Sequence, residues 1–113
     1  MYLTLSALFL TAAAVIGFNP LWSLIKKIPA RMKFVWIHGG LAVAGTTFFV
    51  IHAATSARPT PWLAFIIALV TALGGVGLFA LRRMKAQVPA GIALIHPLAG
   101  LVALVLLYSF LFS

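Results

Sequence analysis

Long apolar runs, separated by short polar stretches, divide the chain into four segments. They cover about residues 2–25, 33–54, 61–81 and 89–112. A membrane-spanning helix needs about 20 consecutive, mostly apolar residues, and each run meets that length. Connections this short place successive helices side by side and antiparallel. The pattern therefore predicts an all-α, integral membrane four-helix up-down bundle that forms a single domain over residues 1–113.

Proline and polar residues mark the expected helix ends. The first run lacks a basic stretch before its apolar core, so we expect a retained helix and not a cleaved signal. Pro20 cannot donate a helical hydrogen bond, which predicts a kink or a separate interfacial segment at Asn19-Pro20. Thr60 and Pro61 are expected to cap and begin the third helix.

The charges predict the orientation in the membrane. The chain has eight Lys and Arg and no Asp or Glu. Seven of these cations lie in "KKIPARMK" and "LRRMK", between the first and second and the third and fourth runs, while the middle loop has only Arg58. Because basic loops stay on the cytoplasmic side, we expect both termini on the non-cytoplasmic side of the cell's inner (plasma) membrane. The same basic residues could also contact anionic lipid head groups, which is a second interpretation of the positive charge.

Two absences in the composition narrow the possible functions. The chain has no cysteine, which excludes disulfides, thiolate-held iron–sulfur clusters and cysteine-ligated zinc. It has no carboxylate side chain, so it lacks both the acids of most ion pathways and a general acid–base pair. No soluble basic domain supports binding to nucleic acid. A stand-alone enzyme is therefore not expected from the composition.

The second helix carries two histidines on one face. His38 and His52 are 14 residues apart in "HGGLAVAGTTFFVIH". Gly45 lies midway on the same stripe, where its missing side chain leaves a hollow for the edge of a flat cofactor or for a neighbouring helix. Fourteen residues rotate a helix to within about 40° of its starting direction and rise about 21 Å. The two imidazoles therefore share a face but lie near opposite membrane surfaces, and each needs a partner from another helix.

The third histidine, His96, is expected at the same depth as His38. His38 precedes Ala54 by 16 residues, His96 precedes Phe112 by 16, and both helices run in the same direction. Gly100 lies one turn after His96 and leaves space beside it. Two neutral imidazoles at matched depth, with room between them, are what axial ligation of a haem iron requires.

This pattern resembles that of the membrane b-type cytochromes, the four-helix superfamily that includes cytochrome b and ferric-reductase-like proteins. The resemblance implies one haem b ligated by His38 and His96, with electrons passing between a quinone or partner domain and another redox protein. It also implies a larger respiratory or photosynthetic complex of several membrane subunits. A second haem would need a ligand at Phe110, so His52 has no histidine partner in this chain.

Several basic residues are expected near the proposed haem. Cations there could pair with haem propionates, although the positive-inside rule explains them equally well. They are Arg31, Lys33, Arg82, Arg83 and Lys85.

Other functions remain open at this point. Each histidine could bind a (bacterio)chlorophyll magnesium, or the chain could be a cofactor-free structural subunit. His52 could be a hydrogen-bonded packing residue, a ligand completed by a partner subunit, or part of a quinone site near Tyr2, Tyr108 and Arg58. The glycines, including Gly45, could serve only to bring helices together.

Overall fold

The computed structural model describes residues 1–84 and 88–113 and is all-α over these ranges. Its helices are α1 (Tyr2–Ile25), α2 (Met32–Thr55), α3 (Trp62–Arg83) and α4 (Ala90–Leu111). All four are long and apolar enough to cross a membrane, as expected of a multi-pass membrane protein. The four predicted helices are thus confirmed, and each observed end lies within two residues of its predicted position.

The structure excludes one of the two alternatives at Asn19-Pro20 and the predicted cap at Thr60. Helix α1 continues through Asn19 and Pro20 to Ile25, so no separate interfacial segment begins there. Hydrogen bonds on both sides of the proline hold the helix together, including one that the Ser23 hydroxyl donates to the Asn19 carbonyl at 3.1 Å. Thr60 does not cap α3, because that helix begins after Pro61 without a side-chain cap among the described residues.

The four helices form a ring in which each contacts two others. Helix α1 packs most extensively on α2, and α3 on α4, so the bundle consists of two helical hairpins. The hairpins meet where α1 contacts α4 and, less extensively, where α2 contacts α3. Helices α2 and α4 are therefore diagonal neighbours, and the space between them is the interior of the bundle.

One half of this interior is solidly packed. It lies at the end that contains the start of α1, the start of α3 and the α2–α3 loop. Mostly small side chains let the helices approach closely there. Phe49 of α2 and Leu107 of α4 fill the centre and are almost fully buried. The buried hydrophobic cluster comprises Leu3, Ala7, Phe49, Ala64, Ala68, Ala103 and Leu107.

Large apolar side chains cover the outer surface. Val15, Leu73 and Val105, for example, are 68%, 71% and 64% exposed. Such a surface is unfavourable in water but matches the hydrocarbon of a bilayer, where small residues face other helices and large ones face lipid. The burial pattern thus agrees with the membrane assignment made from length and hydropathy.

Gly45 lies in the contact between α1 and α2. Its carbonyl accepts a 2.8 Å hydrogen bond from the buried Ser6 hydroxyl. A Cβ at position 45 would lie 2.7 Å from Leu10 Cγ and 3.1 Å from the Leu10 backbone nitrogen. Gly45 therefore serves helix packing, and no side chain larger than hydrogen fits there unless α1 moves.

Replacing Gly45 by alanine is expected to destabilise the bundle by about 1–3 kcal/mol, the usual cost of overpacking a tight contact. Chemical or thermal unfolding in detergent micelles would measure the change. The control is Gly40→Ala on the same helix, where a Cβ meets no described atom within 4 Å. Equal stability of the two variants would contradict the assigned role of Gly45.

Candidate functional site

The other half of the bundle encloses a cavity of about 550 Å³. It lies on the side of the α1–α2 and α3–α4 connections, and all four helices contribute to its wall. This volume falls in the usual range of small-molecule and cofactor sites, about 300–1,000 Å³. The wall is mainly apolar, and its polar residues include His38 from α2 and His96 from α4.

His38 and His96 face each other across this cavity. Each is the seventh residue of its helix, so the antiparallel hairpins bring them to the same level. The centroids of the two imidazole rings are 6.0 Å apart, and the ring planes are 89° to each other. The two side chains thus span the gap between the diagonal helices α2 and α4.

A backbone carbonyl of the preceding helix holds each imidazole. His38 Nδ1 lies 2.7 Å from the Ala13 carbonyl oxygen, and His96 Nδ1 lies 3.0 Å from that of Thr71. A carbonyl only accepts hydrogen bonds, so in each ring Nδ1 carries the proton and donates it. The neutral ring then has its lone pair on Nε2. Metal-ligating histidines usually have this arrangement, with the other ring nitrogen bonded to a carbonyl or carboxylate.

The spacing of the two rings suits one shared metal ion. A metal–imidazole bond is about 2 Å long and the nitrogen lies about 1.1 Å from the ring centroid, so two trans imidazoles have centroids about 6 Å apart. Among the described residues, no group of three or more His, Cys, Asp or Glu could hold an ion. Two imidazoles alone are a poor site for a free ion, but a macrocycle supplies four ligands itself and needs only these two.

Two glycines that the sequence interpretation did not assign to the site lie against the imidazole rings. Gly17 of α1 contacts His38, and Gly75 of α3 contacts His96. Both line the cavity, as does Gly100, which was predicted to lie beside His96. Gly45 does not line the cavity, and its open side faces Leu10, so of its two predicted neighbours the structure shows a helix there.

An internal repeat relates the two hairpins. Residue pairs 58 apart have the same place in each hairpin: Gly17 and Gly75, and His38 and His96. The distance from each histidine back to its carbonyl partner is 25 residues in both hairpins. When the two hairpins are aligned at this separation, few positions have the same residue in both. From the sequence, only a search for repeated spacing would therefore reveal the symmetry.

Of the predicted basic residues that the structure describes, only Arg82 lines the cavity. It lies near the end of α3, beside Phe79 and Val88 at the loop end of the cavity. No Asp or Glu exists in the chain to pair with it. The other cations of that group are Arg31, Lys33 and Arg83, which are exposed and absent from the wall, and Lys85, which is outside the described residues.

His52 is at the opposite end of α2 and has a structural contact. It is only 4% exposed, and its Nε2 lies 3.1 Å from the Pro59 carbonyl oxygen in the α2–α3 loop. It therefore fastens that loop to the helix. The Tyr108 hydroxyl bonds to Thr11 at 2.6 Å, within the α1–α4 contact. This arrangement accounts for His52 through protein contacts alone.

The described site thus combines a partly open, mainly apolar cavity, two imidazoles held through Nδ1 and the guanidinium of Arg82. Comparison with protein-family models, curated proteins and solved structures finds no match to this chain. The resemblance to b-type cytochromes therefore depends on the residues of this chain alone.

We expect His52→Phe to destabilise the protein by about 1 kcal/mol, because the hydrogen bond between the buried imidazole and the Pro59 carbonyl is lost. Phenylalanine is the residue at the equivalent place in the second hairpin, position 110. His52→Gln, which keeps an N–H group at similar reach, should recover most of the loss. Unfolding in micelles measures both, and a fully stable His52→Phe protein would refute the loop-fastening role.

Proposed function

We propose that this chain is a b-type cytochrome subunit of the cell's inner (plasma) membrane that binds one haem b between His38 and His96. The observation that carries the proposal is the facing pair of imidazoles, 6.0 Å apart, each held through Nδ1 by a helix carbonyl. Haem supplies one-electron redox chemistry. With both axial positions taken by imidazoles, no position is open for a substrate, so electron transfer is the fitting role.

The rest of the cavity suits a flat, apolar ligand with an anionic edge. Small residues such as Ala14, Ala72 and Gly100 line the wall, which leaves space between the helices. Arg82 at the loop end of the cavity could form charge-assisted hydrogen bonds with carboxylates of the ligand.

The orientation proposed for the chain follows the same charges. The hollow half of the bundle faces the two strongly basic connections, which the positive-inside rule assigns to the cytoplasm. The haem would then lie nearer the cytoplasmic surface, and both termini would be on the other side. Electron donors and acceptors, whether quinone, a partner domain or other membrane subunits of a redox complex, would approach within or beside the bilayer.

The geometry favours one haem over (bacterio)chlorophyll. A chlorophyll magnesium takes a single histidine, so His38 and His96 would each need a separate macrocycle. Rings with centroids 6.0 Å apart leave space between them for one metal centre, not two. In a cofactor-free structural subunit, the same hydrogen bonds would serve packing alone. Such a subunit would show no haem absorption, which distinguishes it from a cytochrome.

The purified protein, titrated with haemin in micelles, is expected to bind one equivalent and to show a sharp Soret band. Its reduced-minus-oxidised spectrum should have the α-band of a six-coordinate, low-spin haem. His38→Ala and His96→Ala should each abolish the low-spin spectrum, because one axial ligand is lost.

The matched control is His52→Gln, which alters the third histidine and should leave the spectrum unchanged. Absence of a Soret band with excess haemin would overturn the proposal. A low-spin spectrum that survives both single substitutions would overturn the assignment of the ligands.

Arg82→Ala is expected to weaken haemin binding about three- to tenfold, which corresponds to one exposed charge-assisted contact. Arg83→Ala is the control, since Arg83 is absent from the cavity wall. Haemin dimethyl ester lacks the free carboxylates, so its affinity should be the same for Arg82→Ala and the unchanged protein. A similar loss with the ester would show that Arg82 acts through packing and not through charge.

A further inference from the structure

Gly17 leaves space for the His38 ring on the surface of α1. A Cβ at position 17 would lie 2.7 Å from both Cε1 and Nδ1 of His38. One turn earlier on the same helix is Ala13, whose carbonyl oxygen accepts the Nδ1 hydrogen bond. The ring therefore rests on the glycine while its N–H group reaches the carbonyl, and a methyl group at position 17 would push the ring off this surface.

The second hairpin repeats this arrangement with different neighbours. A Cβ at Gly75 would lie 2.9 Å from His96 Cε1, and the accepting carbonyl belongs to Thr71, again one turn earlier. Gly74, next to it, would place a Cβ 3.9 Å from the ring, an ordinary contact. The requirement for glycine is thus specific to position 75.

We propose that Gly17 and Gly75 are positioning residues of the cofactor site. Each forms a clamp with the carbonyl one turn before it, and the clamp fixes both the tautomer and the plane of one imidazole. The pair of clamps holds the two rings perpendicular, with both Nε2 atoms available as ligands. This inference rests on the proposed function for its consequence at iron, while the clamp itself is a property of the protein without ligand.

The consequence at iron is electronic. Each axial imidazole interacts with the iron d orbital that is perpendicular to its own ring plane. Two parallel rings act on the same orbital and separate the two orbitals in energy, whereas two perpendicular rings act on one orbital each. If the rings keep their interplanar angle of 89° when both ligate a haem iron, the low-spin ferric signal in electron paramagnetic resonance would be strongly anisotropic and not the rhombic signal of parallel rings.

The test compares Gly17→Ala and Gly75→Ala with Gly77→Ala and Gly40→Ala. At positions 77 and 40 an added Cβ meets no described atom within 4 Å. Each clamp variant should bind haemin about 10–100-fold more weakly, the usual effect of losing a group that orients a metal ligand. Its paramagnetic resonance signal should also move toward the rhombic type, while both controls keep the affinity and signal of the unchanged protein.

A second readout needs no haem. In ¹⁵N-labelled apoprotein, the imidazole nitrogen shifts should show the Nδ1–H tautomer for His38 and His96. Gly17→Ala should lose it for His38 only, and Gly75→Ala for His96 only. Alanine forms helices more readily than glycine does, so none of the four substitutions should reduce the helicity measured by circular dichroism.

The outcomes separate the two proposals. Nε2–H tautomers in the unchanged apoprotein, or clamp variants that match the controls in tautomer and affinity, would overturn the clamps. A rhombic signal from the unchanged holoprotein would overturn the perpendicular arrangement. Nδ1–H tautomers that respond to the glycine substitutions, in a protein that binds no haemin, would support the clamps and overturn the proposed function.

Discussion

The hydrogen bond from each central imidazole to the carbonyl of the preceding helix is the interaction on which the hollow half of the bundle depends. In a bilayer no water can satisfy an imidazole N–H, so the protein must provide the acceptor. The Ala13 and Thr71 carbonyls do so at 2.7 and 3.0 Å. Because each bond joins the two helices of one hairpin, it orients the side chain and fixes the hairpin together.

The solid half of the bundle keeps the hollow half open. Phe49 and Leu107 occupy equivalent places in the two hairpins and fill the interior at one level. One helical turn closer to the α1–α2 and α3–α4 connections, the side chains that face the interior are smaller. The diagonal helices α2 and α4 remain apart there. The helices cannot collapse onto the cavity without disturbing the tight contacts at the other end, such as that between Gly45 and Leu10. Packing at one end therefore maintains space at the other.

Counting along the sequence predicted the helices and the common level of His38 and His96, because both depend on helix rise and on short connections alone. The clamps could not be found this way. Whether Gly17 meets an imidazole depends on how two helices are rotated and how closely they approach, and neither is encoded by spacing within one helix. The same limit applies at Gly45, which shares the stripe of His38 but lies where that stripe meets Leu10, so spacing alone left two possible neighbours.

The lack of acidic side chains constrains what can occupy the cavity. None of these 113 residues is Asp or Glu, so none of them offers a side-chain carboxylate to Arg82. A cation at the mouth of an apolar cavity is most stable beside an anion. The charge of the chain and the geometry of its two imidazoles therefore favour the same kind of ligand, one with an apolar body, a metal centre and a carboxylate edge.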